Sequence, residues 1–265
     1  MTVRFQISKM SFSGGKDVVL DDGAIVVIVG PNNAGKSALL KDLSSFVRGG
    51  IAIGVLTNCV FGMNGSNDDV KEWLKENFSL YEHRNSEMGY QGLGVTVQDR
   101  HVDLEWRDGM PGAMGTLGPA FLQLTSGFQQ KQVISQEENV DTMREGPRTA
   151  LQKMYTDEEF EAEVSRHFSR AFGTGVYLNR MAGKSIPLMI GEAPEIVDGE
   201  KVFSESYLEK LRNAPRMSEQ GDGMQAFVGA VLLAAKSPSK VLCMDEPELF
   251  LHPCLLYTSP SPRDS

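Results

Sequence analysis

The hydrophobic and polar positions of the first fifty residues predict three strands followed by a helix. Val3, Phe5 and Ile7 alternate with polar residues, as in a strand with one buried face, and a second short strand follows at 18–20. The run 24–29 is continuous and mostly β-branched, which predicts a strand buried on both faces of a parallel sheet. The leucines of 37–47 recur at helical spacing and precede Gly49-Gly50, so we expect a helix that ends there.

The middle of the chain, 51–202, is less regular. We expect a short helix at 72–78, a hairpin with strands at 95–98 and 101–106, and a loop at 109–118. The clearest helical pattern is 156–172, where Thr156 is the predicted N-cap and Glu159 completes a capping box. One face of this helix carries apolar residues at i, i+4 spacing, which we interpret as core: Phe160, Val164, Phe168 and Phe172.

The last part of the chain regains clear order. A short helix is predicted at 204–213, a polar glycine loop at 218–223 and an apolar helix at 224–235. The apolar run 240–244 predicts another buried strand, which ends in Asp245-Glu246. This order of elements predicts an α/β fold with a parallel sheet covered by helices.

Composition narrows the class of protein. The chain has 265 residues, of which 41% are hydrophobic and 23% charged, which is ordinary for a globular protein. No apolar run approaches the about 18 residues that span a bilayer, and the N-terminus lacks a secretion signal, so we expect a cytoplasmic protein with no membrane role. The net charge of −9 argues against a surface that grips nucleic acid as a whole, but it leaves room for a local basic groove. Cys59 and Cys243 lie in apolar surroundings and are interpreted as small buried side chains.

The strongest chemical signal is a glycine loop between the buried strand and the first helix. Its pattern is G-x-x-x-x-G-K-S, and its residues are Gly30, Pro31, Asn32, Asn33, Ala34, Gly35, Lys36 and Ser37. Glycines let successive backbone N–H groups point inward at phosphate oxygens, and the helix that follows adds its positive N-terminal dipole. We expect Lys36 to reach the β- and γ-phosphates of ATP and the Ser37 hydroxyl to bind Mg²⁺.

Two further motifs lie near the end of the chain. A carboxylate at the end of a parallel strand lies where ligands of open α/β sheets bind, so we expect Asp245 to hold the Mg²⁺ shell and Glu246 to act as general base for an attacking water. The glycine loop with Ser218, Gly221 and Gly223 opens a helix and is a second candidate anion site. It could contact the γ-phosphate bound by another subunit, but an N-cap with a flexible loop fits the spacing equally well.

The order of the motifs GPNNAGKS, a glycine loop opening a helix, and VLCMDEPELFLHP resembles the ABC-type ATPase heads. Among these the chain is most similar to the stand-alone bacterial AAA-family ATPases related to the OLD (overcoming lysogenization defect) and SMC proteins. The phrase Gln220-Gly221-Asp222-Gly223-Met224 with Phe227 resembles their degenerate signature, whereas the transporter signature LSGGQ is absent. The block made of Leu178-Asn179-Arg180, Ile186-Pro187-Leu188 and Gly191-Glu192 also resembles the group. The resemblance covers most of 1–253 and is specific only at its two ends.

The resemblance implies an ATPase that binds ATP and Mg²⁺ and forms a head-to-tail homodimer around two ATP molecules. Gly30, Asn33, Gly35, Lys36 and Ser37 match the phosphate loop (Walker A), and Asp245 and Glu246 match the Walker B pair. Ser218, Gly221 and Gly223 match the signature only loosely. The family's Q-loop glutamine stays open between Gln91 and Gln98. The partner implied is a nucleic acid or an effector protein, in DNA maintenance or phage defence.

The resemblance also implies the P-loop NTPase fold of an ABC-type ATPase head, with a mostly parallel sheet and flanking helices, an N-terminal antiparallel β segment and an inserted subdomain, truncated at its C-terminus. It suggests a division of the chain as well. We expect an N-terminal β segment and Walker A lobe at 1–50, an inserted subdomain at 51–200, a signature helix and Walker B lobe at 201–253, and a non-native tail at 254–265 that resembles a translated sequencing adaptor. The family continues after this point with further strands and a switch histidine. We therefore expect this chain to bind nucleotide at most, while the full-length protein hydrolyses it.

Three other functions compete with that of an ATPase. A transporter ATPase is disfavoured by the absent LSGGQ and the insertion of about 150 residues. A small-molecule P-loop kinase would need an acceptor pocket and a lid of arginines, which the sequence does not indicate. An ATP-gated interaction module, in which binding rather than turnover is the switch, remains the alternative.

Overall fold

The computed structural model describes residues 3–51, 54–82, 88–92, 94–106, 114–141, 146–195, 204–235, 237 and 239–249. These residues form a mixed α/β structure of two compact units, and each unit is described by itself. Unit 1 lies within Met1–Thr125 and Ser237–Asp245, and unit 2 lies within Ser126–Lys236 and Glu246–Ser265.

The strands and helices are numbered in chain order. The strands are β1 (Arg4–Phe12), β2 (Asp17–Val19), β3 (Leu56–Asn64), β4 (Ser79–Glu82), β5 (Met88–Gly92), β6 (Val95–Gln98), β7 (Leu122–Ser126), β8 (Val176–Leu178), β9 (Leu188–Ile190) and β10 (Val241–Asp245). The helices are α1 (Lys36–Val47), α2 (Asn67–Asn77), α3 (Asp99–Glu105), α4 (Gly118–Phe121), α5 (Gly127–Val133), α6 (Ala150–Thr156), α7 (Glu158–Phe172), α8 (Glu205–Asn213) and α9 (Asp222–Ala235).

The N-terminal sheet of unit 1 is antiparallel, as the sequence predicts. β1 is its central strand and pairs with β2 on one side and β3 on the other. Val3, Phe5 and Ile7 are buried while their neighbours face outward, so the alternation of the sequence sets which face of β1 packs on the core. The predicted N-terminal antiparallel β segment is therefore confirmed.

Parallel pairing in the described residues is confined to one pair of strands, β7 with β10. β4, β5 and β6 form a second antiparallel sheet, and β8 and β9 pair antiparallel in unit 2. The mostly parallel sheet expected from the sequence is thus reduced, in this part of the chain, to two strands. The strand predicted at 240–244 is confirmed as β10, although only Cys243 in it is fully buried.

The prediction of a buried strand at 24–29 is wrong for this structure. The segment has no regular secondary structure and pairs with no described strand, and Ile25, Val27 and Val29 are 93%, 78% and 84% exposed. Only Ile28 packs against the core. A β-branched sequence favours extended backbone, but a strand also needs a neighbour for its N–H and C=O groups, and none of the three sheets of unit 1 supplies one among the described residues.

Aromatic rings fill the centre of unit 1. Phe121 stacks on Trp73 and on Trp106, with ring centroids 4.6 Å and 4.9 Å apart. Trp106 is 2% exposed, and its indole Nε1 donates to the carbonyl oxygen of Gly65 at 2.8 Å. Leu39, Leu40 and Leu43 of α1 belong to the same core and are buried as predicted. Their packing holds the helix whose N-terminus follows the phosphate loop.

The predicted second strand of the hairpin, at 101–106, is a helix instead. α3 begins after Gln98, whose backbone N–H donates to His101 Nδ1 at 3.1 Å. Val102 and Trp106 fit an i, i+4 stripe as well as they fit alternation, and Leu104, which a strand would bury with them, is 68% exposed. The strand at 95–98 is confirmed as β6, and the helix expected at 72–78 is the second half of α2.

Unit 2 is built around α7 and α9. Phe160, Val164 and Phe168 of α7 are buried as predicted, and Phe227 of α9 packs against the ring of Phe172 at 5.3 Å. The N-cap is Asp157 rather than Thr156, because the Asp157 carboxylate accepts from the backbone N–H of Phe160 at 2.9 Å while Thr156 ends α6. The helices expected at 204–213 and 224–235 are confirmed as α8 and α9.

Cys59 and Cys243 are buried as predicted, and burial raises the pKa of their thiols to about 12 and about 11. Among the helices described, none combines the length and apolar character needed to cross a bilayer. The loop expected at 109–118 falls mostly on residues that the structure does not describe, as does the tail 254–265.

The Trp106→Phe substitution is expected to lower the free energy of unfolding of the chain by about 2 kcal/mol, because it leaves the buried Gly65 carbonyl without its donor. Leu104→Ala, on the same helix but exposed, should change it by less than about 0.5 kcal/mol. Urea unfolding followed by circular dichroism measures both. Equal losses in the two variants would contradict the assignment of α3 as a helix.

Candidate functional site

The glycine loop forms the N-terminal end of α1. Gly35 is the N-cap and has a left-handed backbone with φ of 88°, which glycine adopts without strain. A Cβ atom at this position would also lie 2.8 Å from a methyl group of Val55. No side chain caps α1, and its first turn holds no acidic residue. The backbone N–H groups of Lys36 and Ser37 therefore have no intrahelical acceptor and are available to an anion.

The ammonium group of Lys36 folds back over the loop that precedes it. Its Nζ donates to the carbonyl oxygen of Gly30 at 2.8 Å and to that of Pro31 at 3.1 Å. An ammonium has three protons, so one donor remains after these two bonds. The positive charge thus lies over the loop that the sequence predicts to bind phosphate groups.

The structure brings together the two motifs that lie farthest apart in the sequence. The hydroxyl of Ser37 donates to Oδ1 of Asp245 at 3.0 Å, across 208 positions of the chain. Ser37 is the second residue of α1, and Asp245 is the last residue of β10. Both residues belong to unit 1 and are partly exposed, so solvent ligands can reach them.

Ser37 and Asp245 supply the oxygen ligands of a site where Mg²⁺ is held jointly by the protein and by the phosphates of a nucleotide. Mg²⁺ prefers oxygen and is usually held by one or two carboxylates together with substrate phosphates. No group of three or more His, Cys, Asp or Glu side chains that could hold a metal ion occurs within the described ranges. A divalent cation here would therefore depend on the Ser37 hydroxyl, the Asp245 carboxylate and the phosphates of its ligand.

Glu246 follows Asp245 and lies in a tight turn of unit 2. Its φ of 50° is unusual for a residue other than glycine, and its carbonyl oxygen accepts from the N–H of Leu249 at 3.0 Å. Gly127, at the start of α5, lies against this turn, and a Cβ atom there would come within 2.9 Å of the Glu246 carbonyl oxygen. The side chain of Glu246 is exposed. The turn that presents the predicted general base is thus held in a strained conformation by its neighbours.

The second glycine loop has an internal clamp that the sequence did not reveal. Gln225 of α9 is 7% exposed, and its side-chain amide donates to the carbonyl oxygens of Ser218 and Gln220 at 3.2 Å and 2.6 Å. The C=O of Gln220 and the N–H of Gly221 belong to one trans peptide group and point in opposite directions. Because this C=O faces Gln225, the N–H of Gly221 is turned away from Gln225. Gly221 precedes α9 and Gly223 lies in its first turn. The loop is therefore ordered, with backbone donors at a helix N-terminus.

A second contact ties α9 to α5. Lys131 Nζ donates to Oδ1 of Asp222, the first residue of α9, at 2.6 Å. A Cβ atom at Gly229 would collide with the backbone carbonyl of Gln130, so only glycine lets the two helices approach this closely. The ion pair lies at the end of α9 next to the glycine loop, and the close approach at Gly229 lies about two turns further along the helix.

The predicted site residues therefore fall into two groups. The phosphate loop and Asp245 meet in unit 1, whereas Ser218, Gly221, Gly223 and Glu246 belong to unit 2. Gln91 and Gln98 lie in β5 and β6, and no observation selects either as a phosphate-sensing glutamine. Gln225 and Gly127 were missed because a glutamine at a helix start and a lone glycine have no signature without their three-dimensional contacts.

Comparison of the chain with protein-family models, curated proteins and solved structures finds no match. The assignment of function therefore rests on the geometry of the residues themselves.

Replacement of Gln225 by leucine is expected to speed amide hydrogen exchange at Gln220, whose N–H donates to the Met217 carbonyl in the clamped loop. Loss of the two side-chain hydrogen bonds, each worth about 1 kcal/mol net, should raise the exchange rate by up to about thirtyfold. Glu219→Gln, an exposed change in the same loop, is the control. Unchanged exchange in Gln225→Leu, measured by mass spectrometry or NMR, would show that the clamp does not order the loop.

Proposed function

We propose that the chain is an ATP-binding P-loop protein of the ABC type, which binds Mg²⁺·ATP at the loop 30–37 and Asp245. The hydrogen bond between Ser37 and Asp245 carries this proposal. Either motif alone could be a chance turn. A serine hydroxyl at a helix N-terminus that meets a carboxylate at a strand end is the arrangement that a nucleotide-bound magnesium ion requires.

The start of α1, Lys36 and the magnesium ion would each contribute to the binding of ATP in unit 1. The free N–H groups at the start of α1 and the uncapped helix dipole favour the negative charge of the phosphates. Lys36, which now donates to two loop carbonyls, would exchange these for phosphate oxygens that carry full charge. Magnesium would neutralise the phosphates and make the terminal phosphorus more open to attack.

We further propose that ATP is hydrolysed in a head-to-tail homodimer, with Glu246 as the general base for the attacking water. The strained turn at Glu246 and the clamped loop at Ser218, Gly221 and Gly223 support this finer proposal. In such a dimer the loop of one subunit would meet the γ-phosphate held by the other. Hydrolysis of ATP would drive a change in a partner, which is a nucleic acid or an effector protein. The protein would act in the cytoplasm.

Lys36→Ala is expected to weaken binding of Mg²⁺·ATP by about a hundredfold, because it removes a charged donor from the phosphates. Lys41→Ala, which removes an equal charge from an exposed position of the same helix, should leave the affinity within about twofold. Isothermal titration or a fluorescent ATP analogue measures both dissociation constants. Equal affinity of the two variants would refute the proposed site.

The Glu246→Gln variant distinguishes an ATPase from an ATP-gated interaction module. If Glu246 is the general base, the variant should bind ATP normally, release phosphate at least about a hundredfold more slowly and accumulate an ATP-bound dimer. Light scattering and a phosphate-release assay follow the two quantities. The alternative, an ATP-gated interaction module without significant turnover, predicts the same dimer lifetime and the same low phosphate release for the variant and the wild type.

A further inference from the structure

A groove of about 510 Å³ runs beside the second half of α7, wholly within unit 2. We define the arginine groove by Ser165, Arg166, Ser169, Arg170, Gly175 and Glu192, which line it. We propose that the arginine groove binds a phosphate group, carried by a nucleoside phosphate or by a nucleic-acid strand. It shares no residue with the site proposed for ATP, and its test does not depend on that proposal.

The two arginines give the groove its charge. Arg166 and Arg170 are four residues apart on α7, so their side chains leave the same face of the helix. Both are exposed, and neither has an ion pair within the described ranges. Arg180 and Arg212 of the same unit differ, since each is paired with a glutamate. Two guanidinium groups without an ion pair among the described residues therefore stand on one wall of the groove, in a chain with a net charge of −9.

The serines add hydroxyl donors to the same wall. Ser165 Oγ accepts from the backbone N–H of Val176 at 3.0 Å, which leaves its own proton free to donate. Ser169 is one turn further along and is exposed. Four side chains of the groove can therefore donate hydrogen bonds, and a phosphate group, with its charged oxygens, is the ligand chemistry that needs only donors.

The floor of the groove is fixed by glycine. A Cβ atom at Gly175 would lie 2.7 Å from Ser165 Oγ and 3.2 Å from the Gly191 carbonyl oxygen. The N–H of Gly191 donates to the carbonyl of Gly175 at 2.9 Å, which links the two chain segments below the groove. The wall of α7 thus faces a floor of fixed shape, and a ligand would not need to order it.

Glu192 indicates what else the ligand carries. Its carboxylate accepts hydrogen bonds, so it suits a hydroxyl or amino group attached to the phosphate. The ribose and base of a nucleotide supply such donors.

The helix dipole does not explain both arginines. Basic side chains are favoured near a helix C-terminus, and Arg170 lies in the last turn of α7. Arg166 lies six residues before the last residue, Phe172, and the effect of the dipole falls off within one turn. Arg166 therefore has no such role, and the groove that both residues line remains to be explained.

The test uses the chain with Lys36→Ala, so that the phosphate loop does not contribute to binding. Inorganic phosphate, adenosine monophosphate and a fluorescent oligothymidylate are titrated into this background and into the same background with Arg166→Gln and Arg170→Gln. Each lost guanidinium should weaken binding about tenfold, hence about a hundredfold for the pair. Arg212→Gln, an exposed arginine of the same unit, is the control and should stay within about twofold.

The salt dependence distinguishes the two sources of the phosphate. If a strand binds through two phosphates, the slope of log K against log salt should lose about 1.4 units in the double variant, and monophosphate should compete only weakly. If a nucleoside phosphate is the ligand, adenosine monophosphate should bind and displace the strand. The proposal is overturned if no phosphate-bearing probe binds, if the double variant binds like the control, or if a glutamate-rich peptide binds and phosphate does not displace it.

Discussion

The hydrogen bond between Ser37 and Asp245 is the contact on which the account of this protein depends. It joins the first turn of α1 to the end of β10, although the two residues are 208 positions apart. For the bond to form, Gly35 must adopt a left-handed backbone, and β10 must pair with β7 so that its carboxyl end stops beside the loop. The packing of Trp73, Trp106 and Phe121 holds the rest of unit 1 around these elements.

Much of this could be predicted from the sequence because the signals are local. A glycine loop with lysine and serine before a helix has one well-understood geometry, and α1 begins within one residue of its predicted start. The helices α8 and α9 and the strand β10 were predicted within one or two residues for the same reason. Apolar periodicity and capping residues act over a few positions and do not need knowledge of distant partners.

The errors arise where a partner decides the outcome. The segment 24–29 has the composition of a buried strand, but its pairing depends on a neighbour that composition does not specify. At 101–106 the pattern of Val102 and Trp106 fits two periods, and the capping contact between Gln98 and His101 favours the helix. Gln225 and Gly127 could not be found from the sequence, because their roles consist of contacts with carbonyl groups of other segments.

A double-mutant cycle on Ser37→Ala and Asp245→Asn tests the central claim most directly. The affinity for ATP is measured for the wild type, both single variants and the double variant, with Mg²⁺ and with EDTA. If the two side chains hold one magnesium ion, their effects should be non-additive by at least about 1 kcal/mol with Mg²⁺ and additive without it. Additive effects within about 0.5 kcal/mol in both conditions would contradict the account, since the two residues would then act independently.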